Sequence, residues 1–251
     1  SQVVGGTAYM MLNDVLYAEA GGYTSLPRNI QQGIGAFDPE QARLDRGVPY
    51  WRLALQKDWS GHYVSVGSFG MQGNVNPQRL TGAGVDKYYD FGFDLTYQFL
   101  ADPTHIYEFN ATYIRENRNL NASMVLGLAD KLKSNLDTVR LRAGYTYLQT
   151  YSLSLFYGQT TGTADSVIYS FGDPISGSRN GNPNSQAFTA EASYTPFGKS
   201  NTSALSTLAN LRLVVQYVHN FKFNGSVHNY DGFRRNTVNN DALYLNAWLA
   251  F

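Results

Sequence analysis

The sequence contains no cysteine in its 251 residues. It therefore offers no disulfide, no thiolate metal site, no cysteine nucleophile and no Cys-x-x-Cys-His motif for haem attachment. It also lacks any run of about 18 apolar residues, which argues against a membrane-spanning helix. Neither sign of charge is in excess, because 19 basic residues balance 19 acidic ones. No basic stripe therefore points to nucleic acid as a partner.

Aromatic residues and glycine are abundant, with 19 Tyr, 14 Phe and 24 Gly beside only 15% charged residues. Tyrosine and phenylalanine favour strands and membrane interfaces, whereas glycine favours tight turns and close strand packing. The mean hydropathy of −0.32 is compatible with a membrane protein made of strands, because such strands alternate apolar and polar residues.

Apolar and polar residues alternate with a period of two along much of the chain. In residues 89–99 the odd positions are Tyr, Phe or Leu, and the even positions are Asp, Gly, Thr or Gln. Residues 107–113, 139–147, 188–194 and 211–217 follow the same pattern. It predicts strands with one apolar and one polar face. A soluble β-sandwich also alternates, but strands of about 10 to 14 residues with aromatic ends favour an outer-membrane barrel.

The predicted connections between strands alternate between short and long. Short ones lie near Asn13-Asp14, at 59–61, at 101–104 and near Thr150, with a somewhat longer one at 198–205. Long ones cover residues 25–47, 72–86, 118–134, 162–185 and 224–239. Short periplasmic turns and long outer loops are typical of transmembrane barrels. The fold class expected is therefore all-β, an antiparallel up-and-down transmembrane barrel in the bacterial outer membrane, with residues 1–251 as one domain.

The number of strands is expected to be about ten or eleven, the first at residues 3–11. Single-chain bacterial barrels have an even number. Either Asn13-Asp14 lies inside one long strand, which gives ten, or strands precede Ser1. We favour the second alternative, because Asn-Asp between two alternating runs is typical of a turn. The chain begins without a signal segment, so we expect a processed protein or a fragment.

The two faces of the predicted strands carry different candidate residues. The apolar face is expected to contact lipid through Phe91, Phe93, Leu95, Phe109, Leu141, Leu153, Leu213 and Val215. The polar face is expected to line the lumen through Glu19, Arg52, Asp90, Asp94, Glu108, Glu116, Arg140, Arg142, Glu191 and Arg212. Arg140 and Arg142 lie two residues apart on one face, which suits contact with an anion. The final strand ends in Leu249 and Phe251, as expected of the signal that the barrel assembly machinery reads.

Catalytic motifs are missing from the sequence. No Gly-x-Ser-x-Gly elbow occurs, and His62, His105, His219 and His228 lack metal-site spacing. An enzyme is not excluded, since barrel hydrolases exist, but no catalytic residue and no metal ligand can be proposed.

Several segments resemble the fused cytochrome–porin family of the outer membrane, whose members include cytochromes implicated in ferrous iron oxidation. The segments are residues 9–23, 49–56, 112–116, 229–236 and 239–251. The resemblance implies an N-terminal c-type haem segment followed by a barrel of about sixteen strands, of which this chain would supply the last eleven. Haem c is thus expected in the full-length protein, although no motif in this chain binds a cofactor. The partners implied are outer-membrane lipid, the assembly machinery and periplasmic cytochromes.

Three functions therefore stay open. The first is a conduit or scaffold for haem-based electron transfer across the outer membrane. The second is a passive porin for small polar solutes, and the third is a barrel that binds partners through its surface loops.

Overall fold

A computed structural model describes residues 2–169, 177–197 and 210–250, and in it the chain forms a single antiparallel sheet. Eleven long strands of 9 to 15 residues pair in chain order. They are β1 Val3–Leu12, β2 Leu16–Ser25, β4 Val48–Trp59, β5 His62–Asn76, β6 Asp86–Phe99, β7 His105–Asn119, β8 Lys133–Tyr147, β9 Tyr151–Gly162, β10 Ser185–Tyr194, β11 Asn210–Lys222 and β12 Ala242–Ala250. A short strand, β3 Arg43–Leu44, also pairs with β5. The all-β, up-and-down antiparallel architecture is thus confirmed.

Helices occur only as short pieces in the described parts of the long connections. They are α1 Arg28–Gly33, α2 Asn121–Val125 and the 3₁₀ turns Pro77–Arg79 and Thr237–Asn240. None was predicted, because pieces of three to six residues are too short to show a helical period. No helix in the described ranges is long and apolar enough to cross a membrane.

Short turns join the strands at one end of the sheet, and three of them share a strained backbone. Both central residues have positive φ in each turn: Asn13 and Asp14 (50° and 56°), Ser60 and Gly61 (46° and 80°), and Leu148 and Gln149 (51° and 53°). This is the conformation of a type I′ turn, which matches the twist of a hairpin. Asn13-Asp14 is therefore a turn, and the alternative of ten strands is wrong. The predicted connection at residues 198–205 lies outside the described residues.

The long connections lie at the opposite end, as predicted, and hydrogen bonds join them to one another. The buried Asp165 carboxylate accepts bonds from the backbone N–H groups of Asp130 (2.9 Å) and Lys131 (3.0 Å). The Asp86 carboxylate likewise accepts from the backbone and hydroxyl of Ser123. Buried carboxylates thus hold the connections near residues 121–131 and 163–169 in one arrangement.

The two faces of the sheet differ in polarity, and the apolar face is the exposed one. The apolar face, which carries Leu53, Phe93 and Leu141, is exposed along the sheet. The polar face carries Arg52, Asp94 and Arg140. Buried apolar residues are few in the described chain and no second sheet packs on the first. The alternative of a β-sandwich, which needs two packed sheets, is therefore wrong for this part of the chain.

The sheet is open. In the described residues β1 pairs only with β2, and β12 pairs only with β11. Because eleven antiparallel strands lie between the two edges inclusively, β1 and β12 run in the same direction. Pairing these two edges directly would be parallel, so this chain does not close an up-and-down barrel by itself.

Candidate functional site: the polar face of the sheet

All ten charged residues predicted for the lumen lie on the polar face. The strand register joins them in cross-strand rows, for example Glu19 beside Arg52 and Asp90 beside Glu116. The ten are Glu19, Arg52, Asp90, Asp94, Glu108, Glu116, Arg140, Arg142, Glu191 and Arg212. Their shared face follows from the register, whereas the lumen that this face would line stays a prediction.

An ion pair between Arg52 and Asp94 crosses β5. The guanidinium makes two bonds to the carboxylate, one of them 2.7 Å between Nη2 and Oδ1. Gly67 lies between the two strands, and a Cβ atom there would be 2.9 Å from both Arg52 Nη2 and Asp94 Oδ1. The Arg52 guanidinium also lies 5.9 Å from the ring centre of Phe69. A glycine on the middle strand thus leaves room for two side chains that are 42 residues apart to meet.

Two further pairs join neighbouring strands. Arg142 lies 3.5 Å from Glu108, whose carboxylate also accepts a 3.1 Å bond from Gln98. Arg212 lies 3.1 Å from Glu191, which accepts a 3.1 Å bond from Gln216 as well. In these pairs each arginine is neutralised by a carboxylate on a nearby strand, so carboxylates and arginines do not form separate rings.

Three of the ten residues depart from this pairing. Glu19 makes no ion pair with a described residue, and the other two are Arg140 and Asp90. Arg140 is exposed and makes no ion pair with a described residue. Asp90 lies beside Glu116, which is paired with Arg118. The Oδ1 atom of Asp90 is buried and has no hydrogen-bond partner in the described chain. Among the ten predicted residues, the described structure thus leaves Arg140 and Glu19 without an ion pair and Asp90 incompletely hydrogen-bonded.

An apolar recess of about 510 Å³ interrupts the polar face at the end that carries the long connections. Its wall comes from polar-face positions of β1, β2, β4, β5 and β6, with Leu44 of β3 added. The lining is Val3, Tyr23, Leu44, Val48, Tyr50, Met71, Gly73, Val75, Tyr88 and Asp90. Sequence reasoning missed this recess. The sequence does contain a signal of the recess. The alternation of apolar and polar residues fails at these strand ends, where polar-face positions are occupied by Val48, Tyr50, Met71 and Val75.

Aspartates outside the strands fix turns and loops. Bonds from the hydroxyl and backbone N–H of Ser166 lower the pKa of Asp130. The backbone N–H of Thr104 lowers the pKa of Asp102 in a short turn. Desolvation would raise the pKa of Asp241, but bonds from the Asn220 backbone, His219 and Tyr217 outweigh it, and the pKa is lowered.

The histidines do not form a metal site. His62 bonds to Tyr97 (3.0 Å), His105 to Tyr145 (2.7 Å) and His219 to Asp241 (2.7 Å). In the part of the chain that the structure describes, no three His, Asp or Glu side chains are arranged to hold a metal ion. These imidazoles belong to the aromatic ends of the strands.

Comparison with known proteins gives no family. A scan against protein-family models finds no match, and a search of curated proteins finds no similar sequence. The geometry of the sheet is therefore the basis of the functional argument.

Proposed function

We propose that this chain forms the larger part of the wall of an outer-membrane β-barrel that supports haem-based electron transfer across that membrane. The observation that carries the membrane part is the exposed apolar face. Seven of the eight residues predicted to contact lipid are exposed on it, and Leu95 is half-buried. A soluble protein does not leave so large an apolar surface in water. Lipid on this face, with the polar face turned inward, satisfies both surfaces.

The open edges support a barrel larger than this chain. Each edge strand presents unpaired backbone N–H and C=O groups, which cannot stay unpaired in a bilayer. Because β1 and β12 run in the same direction, an odd number of further strands is required. About five would give the sixteen that the resemblance implies.

The electron-transfer part rests on the resemblance and on the recess. The chain has no cysteine, so it has no residue for covalent haem attachment, and another segment would have to hold the group. The recess has apolar and aromatic walls of a kind that suits a large flat apolar group. Haem would supply one-electron transfer when bound. The residues of this chain would receive the insert at Tyr23, Tyr50 and Met71 and exclude water there. Periplasmic cytochromes are the proposed partners on the inner side.

A passive porin is the second candidate, and the paired charges are the observation that favours it. Arg52–Asp94, Arg142–Glu108 and Arg212–Glu191 leave a polar surface that water could fill. An adhesion barrel that acts through its loops is the third candidate. The joined connections near residues 121–131 and 163–169 are the observation in its favour.

A haem stain and an absorbance spectrum of the purified full-length protein, together with single-channel recording in planar bilayers, test these candidates. We expect one covalent haem and little steady conductance. A large open conductance without haem would establish the porin instead.

A further inference from the structure

A basic patch lies on the apolar face, at the end of β6, β7 and β8 that carries the long connections. The register aligns Lys87, Asn119 and Lys133 in one row across the three strands. The next row on this face, two residues along each strand, consists of Tyr89, Asn117 and Asn135. The row after it contains Arg115 and Asp137. Neighbouring strands are about 4.8 Å apart, so the backbones of Lys87 and Lys133 are about 10 Å apart.

The basic residues of this patch have few carboxylates near them on the same face. On β4 to β9, which are described in full, the carboxylates of Asp58, Asp86, Asp90, Asp94, Glu108 and Glu116 all lie on the polar face. Only Asp137 lies on the apolar face of these strands, 3.6 Å from Arg115. Lys87 and Lys133 are exposed and make no ion pair with any described residue. An anion is therefore the complementary ligand.

A groove of about 310 Å³ lies within the patch. Arg115, Asn117, Asn119, Lys133, Ser134 and Asn135 contribute to its wall. Asn119 has its side chain on this face, and its Oδ1 atom is buried without a hydrogen-bond partner in the described chain. Such an atom is costly to bury unpaired, and a hydroxyl group of a sugar would supply the missing bond.

The same strands continue from the patch into the apolar face at Phe93, Tyr113 and Leu141. β7 and β8 each have 15 residues, whereas about 9 to 11 are enough to cross the hydrocarbon core. Their ends therefore extend into the headgroup layer. A ligand in the groove would meet cations, an unpaired polar atom and, next to them, an apolar wall.

We propose that this patch binds a phosphorylated glycolipid of the lipid A type, with phosphate on Lys87 and Lys133, sugar at Asn119, and acyl chains on the apolar face below. The inference rests on the proposed membrane placement, which puts the long connections outside, where the outer leaflet holds such lipids. Charge-assisted bonds from lysine and arginine to phosphate are short and strong.

Binding of lipid A to the full-length protein in detergent, followed by native mass spectrometry, tests the proposal. We expect the variant K87Q/K133Q to bind phosphorylated lipid A at least about tenfold more weakly. K57Q, which removes a lysine from the same face at the short-turn end, should bind like the wild type. Dephosphorylated lipid A should bind the wild type as weakly as the phosphorylated form binds the double variant. Asn119→Ala should weaken the binding of lipid A but not that of phosphatidylglycerol.

Some outcomes would overturn the proposal. Equal binding of phosphorylated and dephosphorylated lipid A, or an equal loss in K57Q, would do so. Full competition by millimolar inorganic phosphate would indicate a simple anion site instead. Heat-modifiable gel mobility checks that each variant is folded. A protein that does not insert into vesicles would contradict the proposed function, whereas one that inserts but shows no preference for lipid A would contradict only this inference.

Discussion

Arg52, Gly67 and Asp94 show how single residues shape the polar face. The arginine and the carboxylate are held in a half-buried ion pair with side-chain exposures of 26% and 16%. Water screens such a pair only in part, so each partner depends on the other for its hydrogen bonds. Gly67 leaves room for this ion pair, because any side chain at that position would displace it.

We predict that Asp94→Ala lowers the free energy of unfolding by about 1.5 to 3 kcal/mol, because Arg52 loses charged hydrogen bonds in a partly buried place. The measurement is urea unfolding of the refolded protein in detergent. Replacing both partners with Arg52→Met and Asp94→Leu should restore most of the loss, since no unpaired charge remains. An equally large loss in the double variant would contradict the pairing argument.

A second prediction at this scale concerns Asp241. Its lowered pKa means that its bonds stabilise the folded state fully above the ordinary aspartate pKa of about 3.9. This stabilisation is lost as the pH falls through the lowered pKa. Hydrogen exchange in residues 223–241, corrected for intrinsic rates, should therefore become faster between pH 5 and pH 3. Asp241→Asn should remove this pH dependence, and a dependence that persists in that variant would show that another group is responsible.

The sequence predicted which charged residues share a face but not which of them pair. Parity along a strand is enough to place Arg52 and Asp94 on one side. Their pairing depends on the register of three strands and on the absence of a side chain at Gly67, and neither follows from alternation. The recess was missed for a related reason, because its apolar residues are spread over five strands and become neighbours only in the sheet.

At the scale of elements, local turn chemistry was only partly visible in the sequence. Asn13-Asp14 and Ser60-Gly61 contain residues that tolerate positive φ. Leu148-Gln149 adopts the same conformation (51° and 53°) without such residues. Here the strong pairing of β8 with β9, from Tyr147↔Tyr151 onward, imposes the turn.

A third prediction tests whether lipid covers the apolar face. Leu141→Arg on β8 should destabilise the protein in lipid by about 2 to 4 kcal/mol if the residue lies near the middle of the bilayer. Thr138→Arg is the matched control, because it lies on the polar face of the same strand. Folding yield in vesicles and unfolding in urea would measure both. Equal stability of the two variants would show that lipid does not cover this face.

At the scale of the whole molecule, the orientation of the proposed barrel in the membrane can be tested. Single cysteines can be introduced and labelled in whole cells, because the native sequence contains no cysteine. Gly82→Cys reports on a long connection and has open space around its Cβ position. Ser60→Cys, nearly isosteric with the native residue, reports on a short turn. We expect an impermeant maleimide to label position 82 but not position 60. The reverse result would invert the proposed topology.

At the scale of the whole molecule, the sequence bears on closure of the sheet only through the number of strands that it predicts. Alternation and turn signals led to eleven strands and so to an odd number, which the pairing of long strands now confirms. In the described residues, β1 and β12 each have a partner strand on one side only, so closure of the proposed barrel would require strands outside this sheet.

Every long strand pairs only with its neighbours along the chain, and this has a consequence for how such a sheet changes in evolution. Removal of one complete hairpin, such as β8 with β9, brings two antiparallel strands, β7 and β10, next to each other. Strand directions and the parity of both faces are then preserved. Duplication of a hairpin has the same property. Such a sheet can therefore gain or lose two strands at a time while one face stays apolar and the other stays polar.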